Sequence, residues 1–110
     1  MKKINLYVRD LLLGHLQENE GLFAFVPHET NIKLARQKYP LEMRAFKLNS
    51  SKVVCDKVMP YPFSSFLEST GRIDLIEKVG IEKNQSNFEK LYRLASLDLE
   101  YPIFRIKSDI

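Results

Sequence analysis

Two prolines one residue apart, in Met59-Pro60-Tyr61-Pro62-Phe63, most limit what this chain can become. Proline holds φ near about −65° and has no amide hydrogen, so neither a helix nor an interior sheet ladder continues through such a segment. The chain divides there into two regimes. Before the prolines, apolar residues largely alternate with polar ones; after them, apolar residues recur at helical spacing.

In the first regime Ile4, Leu6 and Val8 alternate with Asn5, Tyr7 and Arg9, which is the period of a half-buried strand. A second strand is expected over Leu12 to Gln17, after a tight turn at Arg9-Asp10. Glu18-Asn19-Glu20-Gly21 is a second turn signal, and Leu22 to Val26 forms a third strand ended by Pro27. Short loops between consecutive strands imply antiparallel pairing, because parallel pairs need long crossovers. Asn31 to Lys38 fits either a helical turn or a loop. Leu41 to Phe46 fits a strand or an extended crossing segment, Asn49-Ser50-Ser51 marks a turn, and Lys52 to Val58 suits a short strand.

In the second regime a short helix is expected over Phe63 to Ser69, with Gly71 at its left-handed C′ position. A second, Arg72 to Val79, carries Ile73, Ile76 and Val79 on one face and stops at Gly80. Ser86-Asn87-Phe88-Glu89 matches a capping box, in which Ser86 and Glu89 satisfy each other's backbone amides. Phe88, Leu91, Tyr92 and Ala95 then share an apolar face. Pro102 ends the helical region, and Ile103 to Ile106 closes the fold as a strand. The expectation is one α+β domain over residues 1–110. It has a small antiparallel sheet that starts as a meander, with two to four short helices packed on one face.

The residues that could carry chemistry are few. His15 and His28 lie thirteen positions apart without metal-ligand spacing, so no metal site is expected. Cys55 is the single cysteine, which excludes an internal disulfide and suits a reducing, cytoplasmic setting; it is expected as a small buried thiol. Asp98 and Glu100 are a pair of acids in a loop. The four glycines stand alone, so there is no glycine-rich phosphate loop. Neither a secretion signal nor an apolar run near the ~20 residues of a membrane span is visible. The net charge of +3 comes from mixed charges rather than a single-sign block, so the surface is expected to be an ordinary solvated one. The helical half, residues 72–97, could mimic a helix-turn-helix in a small nucleic-acid-binding regulator. Its Lys90 and Arg93 are offset by Glu89 and Asp98, and its turn is longer than the usual three or four residues.

The aromatic-proline segment offers a binding surface instead. Tyr61, between prolines, is expected to be exposed, and an aromatic residue on a stiff segment loses little entropy on association. Phe63 and Phe66 could join it or could simply anchor the first helix to the sheet.

In order and spacing these segments resemble the N-terminal subdomain of HipA-type serine/threonine kinases, and specifically HipS, its free-standing form in tripartite HipBST toxin–antitoxin systems. Lys3 to Val8, Leu13-Gly14-His15-Leu16 and Gly21 to Phe25 follow the family's first three strands. Tyr39-Pro40-Leu41 stands where the family leads into its crossing segment. Pro62 to Leu67, Leu75 to Ile81 and Asn87 to Leu91 follow its helices. Two places differ: Glu68-Ser69-Thr70 replaces a Pro-Glu-Gly, and residues 96–102 lack the family's closing glycines. The length suits a separate polypeptide. The resemblance implies a non-enzymatic antitoxin, without cofactors, that binds a HipT-like kinase toxin on its N-lobe. There it would obstruct the active site or hold a regulatory loop, and a HipB-like DNA-binding protein would complete a ternary complex. The residues expected to bind the partner are Met59, Tyr61, Phe63, Phe66 and Arg72. An adaptor that activates its partner is the other protein-binding reading.

Overall fold

The computed structural model describes residues 2–47, 52–61, 63–68, 86–96, 99–100 and 103–108. The chain is α+β, and its alternating apolar residues become strands β1 (Ile4–Val8), β2 (Leu11–Asn19) and β3 (Leu22–Pro27). Helix α1 (Glu29–Lys38) and a 3-10 turn (Glu42–Ala45) follow, then β4 (Val54–Asp56), α2 (Phe63–Glu68), α3 (Asn87–Ala95), β5 (Leu99–Glu100) and β6 (Phe104–Ser108). All neighbouring strands are antiparallel, in the order β4-β3-β2-β1-β6-β5. The meander thus runs from β1 outward to β4, and the chain returns to place β6 against the free edge of β1.

Strand parity explains where the core sits. Ile4 pairs with Leu16 and Leu16 with Phe25, while Leu6 and Val8 pair with Ile106 and Phe104 across the other edge of β1. All of these residues are fully buried. They form one face of the sheet, and α1, α3 and the α2 segment that packs on α3 supply the rest of a single apolar cluster. Rings connect its parts. Phe25 meets Phe46 at 6.0 Å edge-on and Phe63 at 5.9 Å tilted, and Phe46 meets Phe104 at 6.3 Å. The apolar face expected on α3 is buried throughout, with Leu94 added to it.

Both hairpins of the meander turn in two residues. Val8 pairs with Leu11 across Arg9-Asp10, and Asn19 with Leu22 across Glu20-Gly21. Glu20 (φ 52°) and Gly21 (φ 82°) both take the left-handed conformation that a tight hairpin matching the strand twist requires.

Several expectations are corrected. Within Leu41 to Phe46, expected as a strand or an extended crossing segment, Glu42–Ala45 is a 3-10 turn, and the buried side chains there, Met43 and Phe46, are three apart rather than alternating. Asn31 to Lys38 is part of a full helix that starts two residues earlier. His28 caps it, with Nδ1 accepting a hydrogen bond from the Asn31 amide at 3.3 Å. Glu100 lies in β5, opposite Arg105, rather than in a loop. Cys55 is exposed, not buried: it pairs with Ala24, and so falls on the face opposite Phe23 and Phe25. Ser86 caps α3, its Oγ accepting from the Glu89 amide at 3.1 Å, which is one half of the expected capping box. The Glu89 carboxylate accepts from Lys2 Nζ at 2.6 Å, tying α3 to the start of the first strand. Both side chains are partly exposed, so this ion pair adds little stability. The turn at 49–51, the helix expected over 72–79 and the stops at Gly71, Gly80 and Pro102 lie outside the described residues.

Candidate protein-binding surface

The aromatic-proline segment is fastened at both ends with one aromatic side chain left outside. Leaving β4, the Asp56 carboxylate accepts from the Val58 amide at 3.2 Å, a short local turn of the kind aspartate favours. Met59 then enters the core. The Pro60 carbonyl accepts from the Ser64 amide at 3.2 Å, which starts α2, and Phe63 inserts against Phe25. Tyr61 lies between these anchors and is 42% exposed.

This divides the residues expected to bind a partner. Met59, Phe63 and Phe66 are buried at 7%, 0% and 0% exposure, so they are corrected from contact residues to the anchors of the segment. The reason is spacing: Phe63 and Phe66, one helical turn apart, point to the same side of α2 and that side faces the core. Tyr61 is on the surface. Arg72 lies outside the described residues.

Other exposed apolar side chains precede Tyr61 in the chain. Val53 and Val58, before and after β4, are 53% and 71% exposed. Leu22, also exposed, immediately precedes Phe23, which pairs with Asp56, so it lies beside the exit of β4. Strand β4 is the last in the sheet order, and its outer backbone edge faces no other described strand. An open sheet edge can pair with a strand of another chain, and exposed apolar side chains beside it offer surface for such a partner to cover.

The candidate catalytic and metal residues do not converge. Among the described residues no group of three or more His, Cys, Asp or Glu side chains could hold a metal ion. His28 is engaged as the cap of α1, and His15 stands on the outer face of the sheet, paired in register with Val26. Burial lowers the pKa of His15 below its ordinary value, the nearby Lys3 charge lowers it further, and a hydrogen bond with Gln17 partly offsets both. The folded chain therefore disfavours the imidazolium. Above about pH 6.5 the ring is neutral folded or unfolded. As pH falls below that, the unfolded chain takes up the proton first, and stability declines until the folded ring also titrates. The expected result is a His15 ring-proton titration in the folded chain with a midpoint below about 6.5; a midpoint at or above that value would show that burial does not govern this group.

A second polar cluster joins the β1–β2 turn to the 3-10 turn. Arg9 pairs with Glu42 at 3.1 Å and lies over the Tyr39 ring, while the Tyr39 hydroxyl donates to Asp10 at 3.1 Å. The Glu42 carboxyl is held below its ordinary pKa, first by its own backbone amide and then by Arg9. This cluster fixes the 3-10 turn against the sheet. No helix among the described residues is long and apolar enough to cross a membrane. A scan against models of known protein families finds no match, and a search of curated proteins also finds none.

Proposed function

We propose that this chain is a non-enzymatic, cytoplasmic antitoxin of the HipS type. It binds and neutralises a HipT-like serine/threonine kinase by docking on the kinase N-lobe. The observation that carries the reading is Tyr61, exposed on a segment whose flanking residues Met59 and Phe63 are locked in the core. An aromatic side chain held this way meets a partner with most of its entropy cost already met by the fold. Val58 and Leu22, exposed near the exit of β4, offer further apolar surface to a partner. The strand order, with three meander strands and short helices on one face, agrees with the architecture that the sequence resemblance implies. A HipB-like DNA-binding protein completes the assembly on this reading, and the chain itself contacts no nucleic acid.

The test is co-purification with a HipT-like kinase core, followed by a phosphorylation assay. Wild-type chain is expected to suppress phosphorylation. Tyr61→Ala is expected to weaken suppression roughly thirty-fold, the scale of an interface hot spot near 2 kcal/mol, while its thermal unfolding stays close to wild type because the side chain is outside the core. Undiminished suppression by the variant removes this segment from the mechanism. Stimulation of the kinase by wild-type chain would identify an activating adaptor instead.

A further inference from the structure

The loop between α1 and the 3-10 turn borders an open cleft of about 230 Å³ lined by Arg36, Pro40, Met43 and Arg44. Its two cations are eight positions apart in sequence and meet because the chain reverses at Tyr39-Pro40. Both are held on ordered supports. Arg36 sits on α1 with its guanidinium 5.9 Å from the ring centre of Phe46, itself part of the aromatic core. Arg44 is in the 3-10 turn, which the buried Met43 anchors. Among the described residues neither guanidinium has a carboxylate partner, whereas the neighbouring acid, Glu42, is already taken by Arg9. Two arginines lining the same cleft as Pro40 and Met43 offer forked donors for an oxyanion and apolar surface for the methylenes behind it.

We propose that this cleft binds an acidic side chain of a protein partner, a glutamate or aspartate in an exposed acidic segment. The open cleft with two cations and an apolar wall fits one carboxylate on a short aliphatic stem. A nucleic-acid backbone is held through many phosphate contacts, whereas Arg36 and Arg44 are the two cations that line this cleft. The inference uses different residues from the kinase reading and stands without it.

The experiment titrates the full chain with an N-acetylated, C-amidated tetraglutamate peptide and follows the arginine Nε–H resonances by NMR. Saturable shifts at Arg36 and Arg44 are expected. Arg36→Glu/Arg44→Glu is expected to weaken binding tenfold or more, and the charge-matched Lys33→Glu/Lys107→Glu to stay within twofold. Arg36→Gln/Arg44→Gln, which keeps the packing stems, is expected to lose binding as well and guards against a folding defect. The proposal is overturned by the absence of shifts at these two arginines or by equal losses in the charge-matched variant. It is also overturned if inorganic phosphate or a short DNA duplex binds the cleft as tightly as the peptide.

Discussion

Phe25→Ala is expected to remove about 4 kcal/mol of stability, the scale of truncating a fully buried phenylalanine. Phe25 is fully buried on β3 and meets both Phe46, next to the 3-10 turn, and Phe63, the first residue of α2. One ring therefore couples the meander to the segments on either side of β4. Removing it deletes its own transfer free energy and also opens a cavity against two aromatic neighbours that are fixed by other contacts. For a domain of this size the loss corresponds to a fall in melting temperature of roughly 20 °C. Urea unfolding should show the midpoint moving down at unchanged slope. Phe63→Ala should cost less than Phe25→Ala, since Phe63 meets Phe25 whereas Phe25 meets both Phe46 and Phe63. A smaller effect at Phe25 than at Phe63 would mean that it is not the hub of the core.

The contrast with Tyr61 gives this a functional use. Phe63→Ala and Tyr61→Ala change neighbouring aromatic residues on one segment, but one is in the core and the other on the surface. On the proposed antitoxin reading, loss of kinase suppression after Phe63→Ala should track lost stability, whereas loss after Tyr61→Ala should not. Comparing the two separates a binding defect from a folding defect in the stretch that the functional reading depends on.

What could be read from the amino-acid order follows the strength of local signals. Strand β1 ends where its alternation ends, and α3 begins at the Ser86 cap, because each carries a dense pattern together with a boundary residue. Helix α1 was ambiguous for two physical reasons. It buries only Ile32 and Ala35, too narrow a stripe to stand out, and its cap is a histidine rather than one of the usual short polar residues. The 3-10 turn was misread because Leu41, Met43 and Ala45 alternate, yet Leu41 is exposed and the buried pair is Met43 and Phe46. Cys55 depended on register: nothing local says whether it shares a face with Ala24 or with Phe25, and pairing with β3 decides it. The arginine cleft was invisible for the same kind of reason. Arg36 and Arg44 look like ordinary mixed charge until the turn at Tyr39-Pro40 brings them together. Tyr61 was legible because two prolines beside one residue restrict the backbone without help from tertiary contacts.

Gly14→Ala is expected to cost about 3 kcal/mol although it adds a single methyl group, combining backbone strain with overpacking. Gly14 takes φ +150°, a conformation that side-chain-bearing residues rarely adopt, next to an irregularity in the β1–β2 register. A Cβ there would collide with the Val26 carbonyl oxygen and lie 2.7 Å from Phe25 Cζ. The glycine is therefore the floor on which the Phe25 ring rests, which gives Leu13-Gly14-His15-Leu16 a structural reason for its small residue independent of any partner. The two contacts differ in what they can concede. A ring can be replaced, but the Val26 carbonyl belongs to the β2–β3 ladder and cannot withdraw without breaking pairing. Phe25→Leu in the Gly14→Ala background should consequently recover only part of the loss, giving a coupling energy of about 1 kcal/mol in the double-mutant cycle while most of the penalty persists. Full recovery would assign the whole constraint to the ring; strict additivity would show that the alanine escapes the ring by a backbone shift and that this close approach does not set the packing of the sheet.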